Sequence, residues 1–162
     1  MTGMRSWNDK LYLGPMPGTE APLEGWLSEL ERNGVSTVVC LNPQEELRLL
    51  SPSYCRRRTD QATRKQYRLI DVPIEDGGTP EGPVVDQFWH AVSEVTDMIT
   101  DGGKVFIHCT AGRGRTGMFG VAVLLKLGYS LIDAGTEMYE AGSYPETEVQ
   151  EEFLEAAYEA MK

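Results

Sequence analysis

Lys104-Val105-Phe106-Ile107-His108-Cys109-Thr110-Ala111-Gly112-Arg113-Gly114-Arg115-Thr116-Gly117 reads as a strand, a loop and a helix start in one unbroken run. Lys104 to Ile107 has the pattern of a buried strand, and Met118 to Leu127 is apolar almost all round, as a central buried helix is. Glycines wind the segment between them tightly and turn backbone N–H groups inward. At a helix N-terminus such a loop cradles a doubly charged anion. N–H donors, the helix dipole and a nearby guanidinium all favour a thiolate over a thiol at Cys109. A thiolate ringed by phosphate-binding groups is a nucleophile aimed at phosphorus.

Other readings explain less of the run. A lone cysteine is often a small buried hydrophobe. A glycine-rich turn between strand and helix also suits a nucleotide phosphate, but the Walker spacing and its Lys before Ser/Thr are absent. Gly112, Gly114 and Gly117 match the spacing of a dinucleotide fingerprint, which leaves Cys109 and Arg115 unexplained.

Outward from this run, strands and helices alternate. Leu11 to Gly14 reads as a first strand, and Pro22 opens a helix carrying Leu23, Trp26, Leu27 and Leu30 on one face. Val35 to Leu41 is a strand, Glu45 to Leu50 a short helix, and Tyr67 to Ile74 another strand. Glu75 to Gly82 is a loop to which Gly77 and Gly78 give mobility. Val85, Phe88, Val92, Val95 and Ile99 make one face of a helix that Gly102-Gly103 ends. Ser130, with Asp133 three residues on, caps a further helix. Glu146 to Met161 is the last, with Val149, Phe153, Ala156 and Ala160 on its inner side. The alternation predicts an α/β fold, a mostly parallel twisted sheet flanked by helices, in one domain over residues 1–162.

Composition narrows the function. A hydrophobic share of 41% and a charged share of 25% are those of an ordinary globular protein. A net charge of −10 argues against nucleic acid as a partner. No apolar stretch reaches membrane-span length, and the first residues lack the apolar core of a signal peptide. Three cysteines do not suggest a disulfide framework, so a reducing, cytoplasmic compartment is expected. Arg56, Arg57, Arg58, Arg64, Lys65 and Arg68 cluster, as a solvated face or as a surface for an acidic partner.

The run from His108 to Gly117 matches the signature of the cysteine-dependent protein tyrosine phosphatase superfamily. The wider chain, from about Val35 onward, resembles its small dual-specificity branch. It is most similar there to the cyclin-dependent-kinase-associated phosphatases, through Val39-Cys40-Leu41, Glu46-Leu47 and Pro73-Ile74-Glu75-Asp76-Gly77-Gly78-Thr79-Pro80. The resemblance implies the phosphatase fold and hydrolysis of phosphotyrosine and phosphoserine/threonine in proteins.

The chemistry distributes over named residues. Cys109 is the nucleophile and forms a phosphocysteine that water then hydrolyses. Arg115 has the fork to hold two phosphate oxygens, and the backbone N–H groups of Thr110, Ala111, Gly112, Arg113, Gly114 and Arg115 hold the rest. These donors do the work a metal does elsewhere, so no metal or other cofactor is expected. The resemblance gives the Thr116 hydroxyl a bond to the sulfur that helps it leave, while His108 reads as a loop organiser rather than a base. The leaving oxygen needs an acid on another segment. Asp76 is first choice, followed by Asp71 and Glu75.

Arg113 stands where tensin-type lipid phosphatases carry a lysine, so it adds charge for a second phosphate or is an exposed side chain without substrate contact. Gln150 reads as a water-positioning group or a helix-packing residue. Cys40, ending a strand beside that of Cys109, is a redox partner or a buried core residue, and Cys55 has no inferred partner. The expected partner is a phosphoprotein or phosphopeptide, with a phosphoinositide or inositol phosphate as the alternative and a monomer as the default state. A phospho-binding module without catalysis is the rival from another class. Sulfur or arsenate chemistry is a third.

Overall fold

The structure, a computed structural model, describes residues 2–162. Its five-stranded sheet has the order β1-β2-β5-β3-β4. The strands are β1 (Arg5–Trp7), β2 (Leu11–Gly14), β3 (Thr37–Cys40), β4 (Arg68–Asp71) and β5 (Val105–His108). All neighbours pair in parallel except β1 with β2. The helices are α1 (Leu23–Arg32), α2 (Gln44–Leu50), α3 (Pro52–Arg57), α4 (Gln61–Gln66), α5 (Val84–Thr100), α6 (Gly114–Lys126), α7 (Leu131–Glu140) and α8 (Glu148–Met161).

Both sheet faces are covered, as parallel strands require, so β2, β3 and β5 are buried at every residue. Strand alternation sorts the side chains. Leu11, Leu13, Val39, Val105 and Ile107 join α5, α6, α7 and α8 in the larger core, whereas Tyr12, Val38 and Phe106 pack with Trp26 and Leu30 of α1. β5 is central, and its C-terminal end points the loop after it at the edge where β3 and β4 also end. Cys40 lies opposite both His108 and Asp71 in the register.

Three features differ from the sequence expectation. β1 is a strand of only three residues, and Arg5-Ser6-Trp7 shows no periodicity to announce it. The arginine-rich stretch folds into α3 and α4 with Arg56, Arg64 and Lys65 exposed, but Arg58 is buried there. The inner face of α8 is Gln150 and Leu154, with Val149 52% exposed. Val149, Ala156 and Ala160 therefore face outward, and the apolar count misplaced the face because a polar residue, Gln150, anchors it.

Candidate active site

Residues 109–113 link β5 to α6, and the surrounding chain ties their carbonyls outward. The Thr110 carbonyl accepts from Met16 N at 3.1 Å. The Gly112 carbonyl accepts from Arg5 Nη2 at 2.7 Å and Ser143 Oγ at 2.6 Å. The Arg113 carbonyl accepts from Tyr144 N at 3.1 Å and Gly117 N at 2.7 Å. Among the described residues, no backbone N–H from Thr110 to Thr116 donates to a protein carbonyl. Fixed carbonyls and unpaired N–H groups together make the anion cradle. Gly112 has φ +76°, and a side chain on it would strike the backbone of Gly14 and Pro15. Gly117 packs against the Tyr144 backbone with no room for a Cβ.

Cys109 is 3% exposed at the base of this loop. Thr116 Oγ1 donates to its sulfur at 3.1 Å. Arg115 is 2% exposed and held on several sides. Its Nη1 donates to Glu46 Oε2 at 2.9 Å and to the Ile74 carbonyl at 2.8 Å. Its Nη2 donates to Glu46 Oε1 at 2.9 Å and Thr110 Oγ1 at 3.2 Å. The long Thr110 contact is the one a phosphate oxygen can replace while the bidentate Glu46 pair stays. Burial opposes the charge of Arg115, but Glu46, together with Cys109 and Asp76, outweighs it and lifts the guanidinium pKa above its ordinary value. Burial likewise raises the Glu46 carboxyl. Hydrogen bonds from Arg115 and Thr110 more than reverse that and hold it below the usual range. Glu46 also accepts from Thr110 Oγ1 at 2.5 Å and Asn42 Nδ2 at 3.1 Å.

His108 is fully buried, with Nε2 2.7 Å from the Tyr54 hydroxyl and Nδ1 3.2 Å from the Cys109 carbonyl. Burial, then the Arg58 charge, push its pKa down to about 3. The ring is neutral at working pH and organises the loop. Arg58 extends the chain of contacts, donating to the Tyr54 hydroxyl at 3.1 Å and pairing with Asp71.

That pairing separates the candidate acids. Asp71 is engaged by Arg58, and Glu75 is exposed. Asp76 has an 88% exposed side chain with Oδ1 3.5 Å from Arg115 Nη2, so it borders the cradle. Its loop is fastened where the sequence suggested mobility. Thr147 Oγ1 donates to the Gly77 carbonyl at 2.8 Å, and Gln150 Nε2 to the Gly78 carbonyl at 3.1 Å. Gln150 Oε1 accepts from Glu146 N at 2.8 Å, which satisfies this buried amide at both ends. Ser143 to Gln150 is thus a strap bonded to both loops of the site.

The remaining sequence candidates lie apart from the reacting sulfur. Arg113 is exposed at the start of α6. Cys40 shares the His108 face of the sheet and packs with Met16, Leu47 and Tyr54, a different cluster from that of Cys109. Burial pushes its thiol up to about 12, and the three cysteines are unbridged. Cys55 accepts from Gln44 Nε2 at 3.3 Å. In the basic cluster, Arg57, Arg58 and Arg68 are paired with Glu24, Asp71 and Glu94, while Arg56, Arg64 and Lys65 are exposed. Glu46, Tyr54, Arg58 and Thr147 were not singled out as site residues by sequence reasoning. For Glu46 the one signal was its place after Val39-Cys40-Leu41 in the resemblance.

The sequence pattern of the family described as "Polymorphic toxin system, DSP-PTPase phosphatase" matches residues 15–129. The PRL-1 phosphatase of Drosophila melanogaster is 28% identical over 120 residues, 74% of this chain and 61% of that protein. The chain therefore spans about three fifths of that relative's length. The active form of Tk-PTP superposes with a TM-score of 0.75 at 28% identity, covering 97% of each chain. Kinase-associated phosphatase superposes with a TM-score of 0.80 over 99% of this chain and 95% of its own. At 19% identity that likeness is one of fold alone.

Proposed function

This chain belongs to the DSP-PTPase phosphatase family of polymorphic toxin systems, and from that premise we propose that it hydrolyses phosphotyrosine and phosphoserine/threonine in proteins through a phosphocysteine on Cys109. The observation that carries the reading is the joint placement of the sulfur, the Thr116 hydroxyl 3.1 Å from it and the Glu46-braced Arg115 in a cradle of unpaired N–H groups.

In the first step the Cys109 thiolate attacks phosphorus. The bond to the leaving oxygen breaks, and Asp76 gives that oxygen its proton. Arg115 and the loop N–H groups meet the charge that spreads over the phosphoryl oxygens. In the second step water attacks the phosphocysteine and Asp76, now a carboxylate, takes its proton. The sulfur leaves as thiolate, eased by the Thr116 hydroxyl. Each of these steps is carried by residues of the chain itself.

Asp76 lies on a short loop, and little chain builds walls around Cys109. A shallow site of this kind accepts phosphoserine and phosphothreonine as well as the longer phosphotyrosine. The Asp-Gly-Gly-Thr-Pro segment supports a kinase-associated type of dual-specificity enzyme. Cytoplasmic placement as a monomer belongs to the same proposal, and three unbridged cysteines support a reducing compartment. Purified protein should hydrolyse an aryl phosphate in EDTA, be inhibited by vanadate, and lose turnover in Cys109→Ser. Turnover retained in that variant overturns the reading. Phosphoinositides belong in the same substrate panel.

A further inference from the structure

We propose that the cavity beside the phosphate loop is a second anion subsite, built by Arg5 and Arg113, that selects phosphopeptides with a further anionic side chain next to the phosphorylated residue. The proposal rests on the phosphatase reading above and names what that site prefers.

The cavity holds about 440 Å³ and is lined by Ala111 and Arg113 of the loop itself, by Arg5 of β1, and by Glu20 on its rim. The cavity shares Ala111 and Arg113 with the cradle loop, so on this proposal a peptide whose phosphate occupies the cradle brings a neighbouring side chain to this opening. Neither guanidinium is in an ion pair among the described residues, though the Glu20 charge partly offsets that of Arg5. Among the described residues neither has a carboxylate within 4.0 Å, whereas Arg57, Arg58, Arg68 and Arg115 each have one.

Arg5 is also fixed in advance. Its Nη1 donates to the Ala141 carbonyl at 3.2 Å and Ser143 Oγ at 3.1 Å, and its Nη2 to the Gly112 carbonyl at 2.7 Å. A guanidinium has five N–H donors, so the Nε–H and one Nη2 hydrogen make none of these bonds. Gly142 leaves room for the group, since a Cβ there would meet the Arg5 side chain. A cation already immobilised loses little entropy when an anion arrives. Burial, then the Arg113 charge, lower the Arg5 pKa, so the two cations repel each other across the site. An anion placed between them relieves that repulsion.

The occupant is a peptide anion rather than a membrane headgroup. Glu20 repels densely charged polyanions, and a chain of net charge −10 is poorly suited to an anionic bilayer. A single further phosphate or carboxylate meets less of that repulsion than a polyanion does.

The test compares phosphotyrosine peptides that carry a neutral residue, glutamate or phosphoserine beside the phosphotyrosine, on either side. The readout is the ratio of kcat/KM for anionic over neutral peptide, so losses common to all substrates cancel. Kd ratios in Cys109→Ser give the same comparison without turnover. We expect the phosphoserine peptide to be favoured roughly tenfold at low salt, with the preference fading as salt rises. Arg113→Ala should bring the ratio close to one, and Arg113→Glu below one. Arg5→Gln, which keeps hydrogen-bonding capacity and removes the charge, should lower it too. A wild-type ratio near one at low salt, or a ratio unchanged in all three variants, overturns the proposal. So does an Arg113-dependent preference for phosphoinositide vesicles over every peptide. Loss of turnover on all phosphopeptides and aryl phosphates would instead mark failure of the phosphatase reading itself.

Discussion

Cys109 is 3% exposed in a loop whose carbonyls are bound by Met16, Arg5, Ser143 and Tyr144, whereas Asp76, which borders the same site across Arg115, has a side chain 88% exposed on a loop fastened by Thr147 and Gln150. The two loops do different work. The phosphoryl group has one shape, so the groups that bind it gain from being fixed in advance. The leaving oxygen varies in position between a short serine and a long tyrosine, so its acid gains from reach. One loop is braced by fold and charge, the other held at a few backbone carbonyls. Substitutions in the first should therefore damage every substrate alike, and substitutions in the second should discriminate by leaving group.

The largest effects belong to the braced loop. Cys109→Ser should reduce turnover to background while substrate still binds, as calorimetric titration would detect. Arg115→Lys loses the fork and should lower kcat on the order of 10²–10³-fold for good and poor leaving groups equally. Asp76→Asn sharpens the contrast. It should lower kcat about 10²–10⁴-fold for alkyl phosphates and far less for p-nitrophenyl phosphate. If Asp71→Asn shows that dependence and Asp76→Asn does not, the acid is misassigned.

Glu46→Gln tests the brace from its other end. The change removes the carboxylate that holds both Nη atoms of Arg115, at a cost of roughly 10²-fold in kcat with no leaving-group dependence. A loss confined to poor leaving groups would place Glu46 with the acid. Thr147→Val is the mildest of these. It frees the Gly77 carbonyl, so poor leaving groups should slow a few-fold while stability falls by about 1 kcal/mol in urea titration. An equal loss on all substrates would mean the strap acts through the phosphate loop instead.

A dependence on pH separates the loops again. The His108 pKa falls from 6.5 to about 3 on folding, through burial and then the Arg58 charge. Above pH 6.5 the ring is neutral folded or unfolded, and its contribution to stability is whole. As pH drops from 6.5 towards 3, the unfolded ring takes a proton that the folded one refuses, so stability declines through that window. Glu46 adds to the acid side, because its depressed pKa means stability lost as pH falls below its ordinary 4.5. Urea titrations at pH 7 and pH 5 should show the decline in the wild type and a smaller one in His108→Asn.

The braced loop was legible because its chemistry is contiguous: cysteine, glycines, arginine and hydroxyl occupy one run between strand and helix. Asp76 was legible because parallel strands deliver their ends to one edge. What supports these groups was not legible. Glu46 lies 69 residues from Arg115 on a short helix whose sequence carries no sign of that partner. Arg58 looked like one member of a charged surface, and only the fold shows it buried beside Tyr54. Gln150 misled the periodicity of α8 because a polar residue occupied a core position to hold the Gly78 carbonyl. Arg5 sits in a strand too short to carry a pattern. Long-range polar pairing leaves no local period, whereas apolar burial does.

The most direct test of the account is to look for the phosphoryl group on the sulfur. Thr116→Ala removes the hydroxyl 3.1 Å from Cys109 Sγ and should slow the second step more than the first, so the covalent intermediate accumulates. Rapid acid quench during turnover, followed by peptide mass spectrometry, should find one phosphoryl group on the peptide containing Cys109, at higher occupancy in Thr116→Ala than in the wild type. Turnover without a phosphoryl group on Cys109 in either protein, or with one on another residue, would contradict the account.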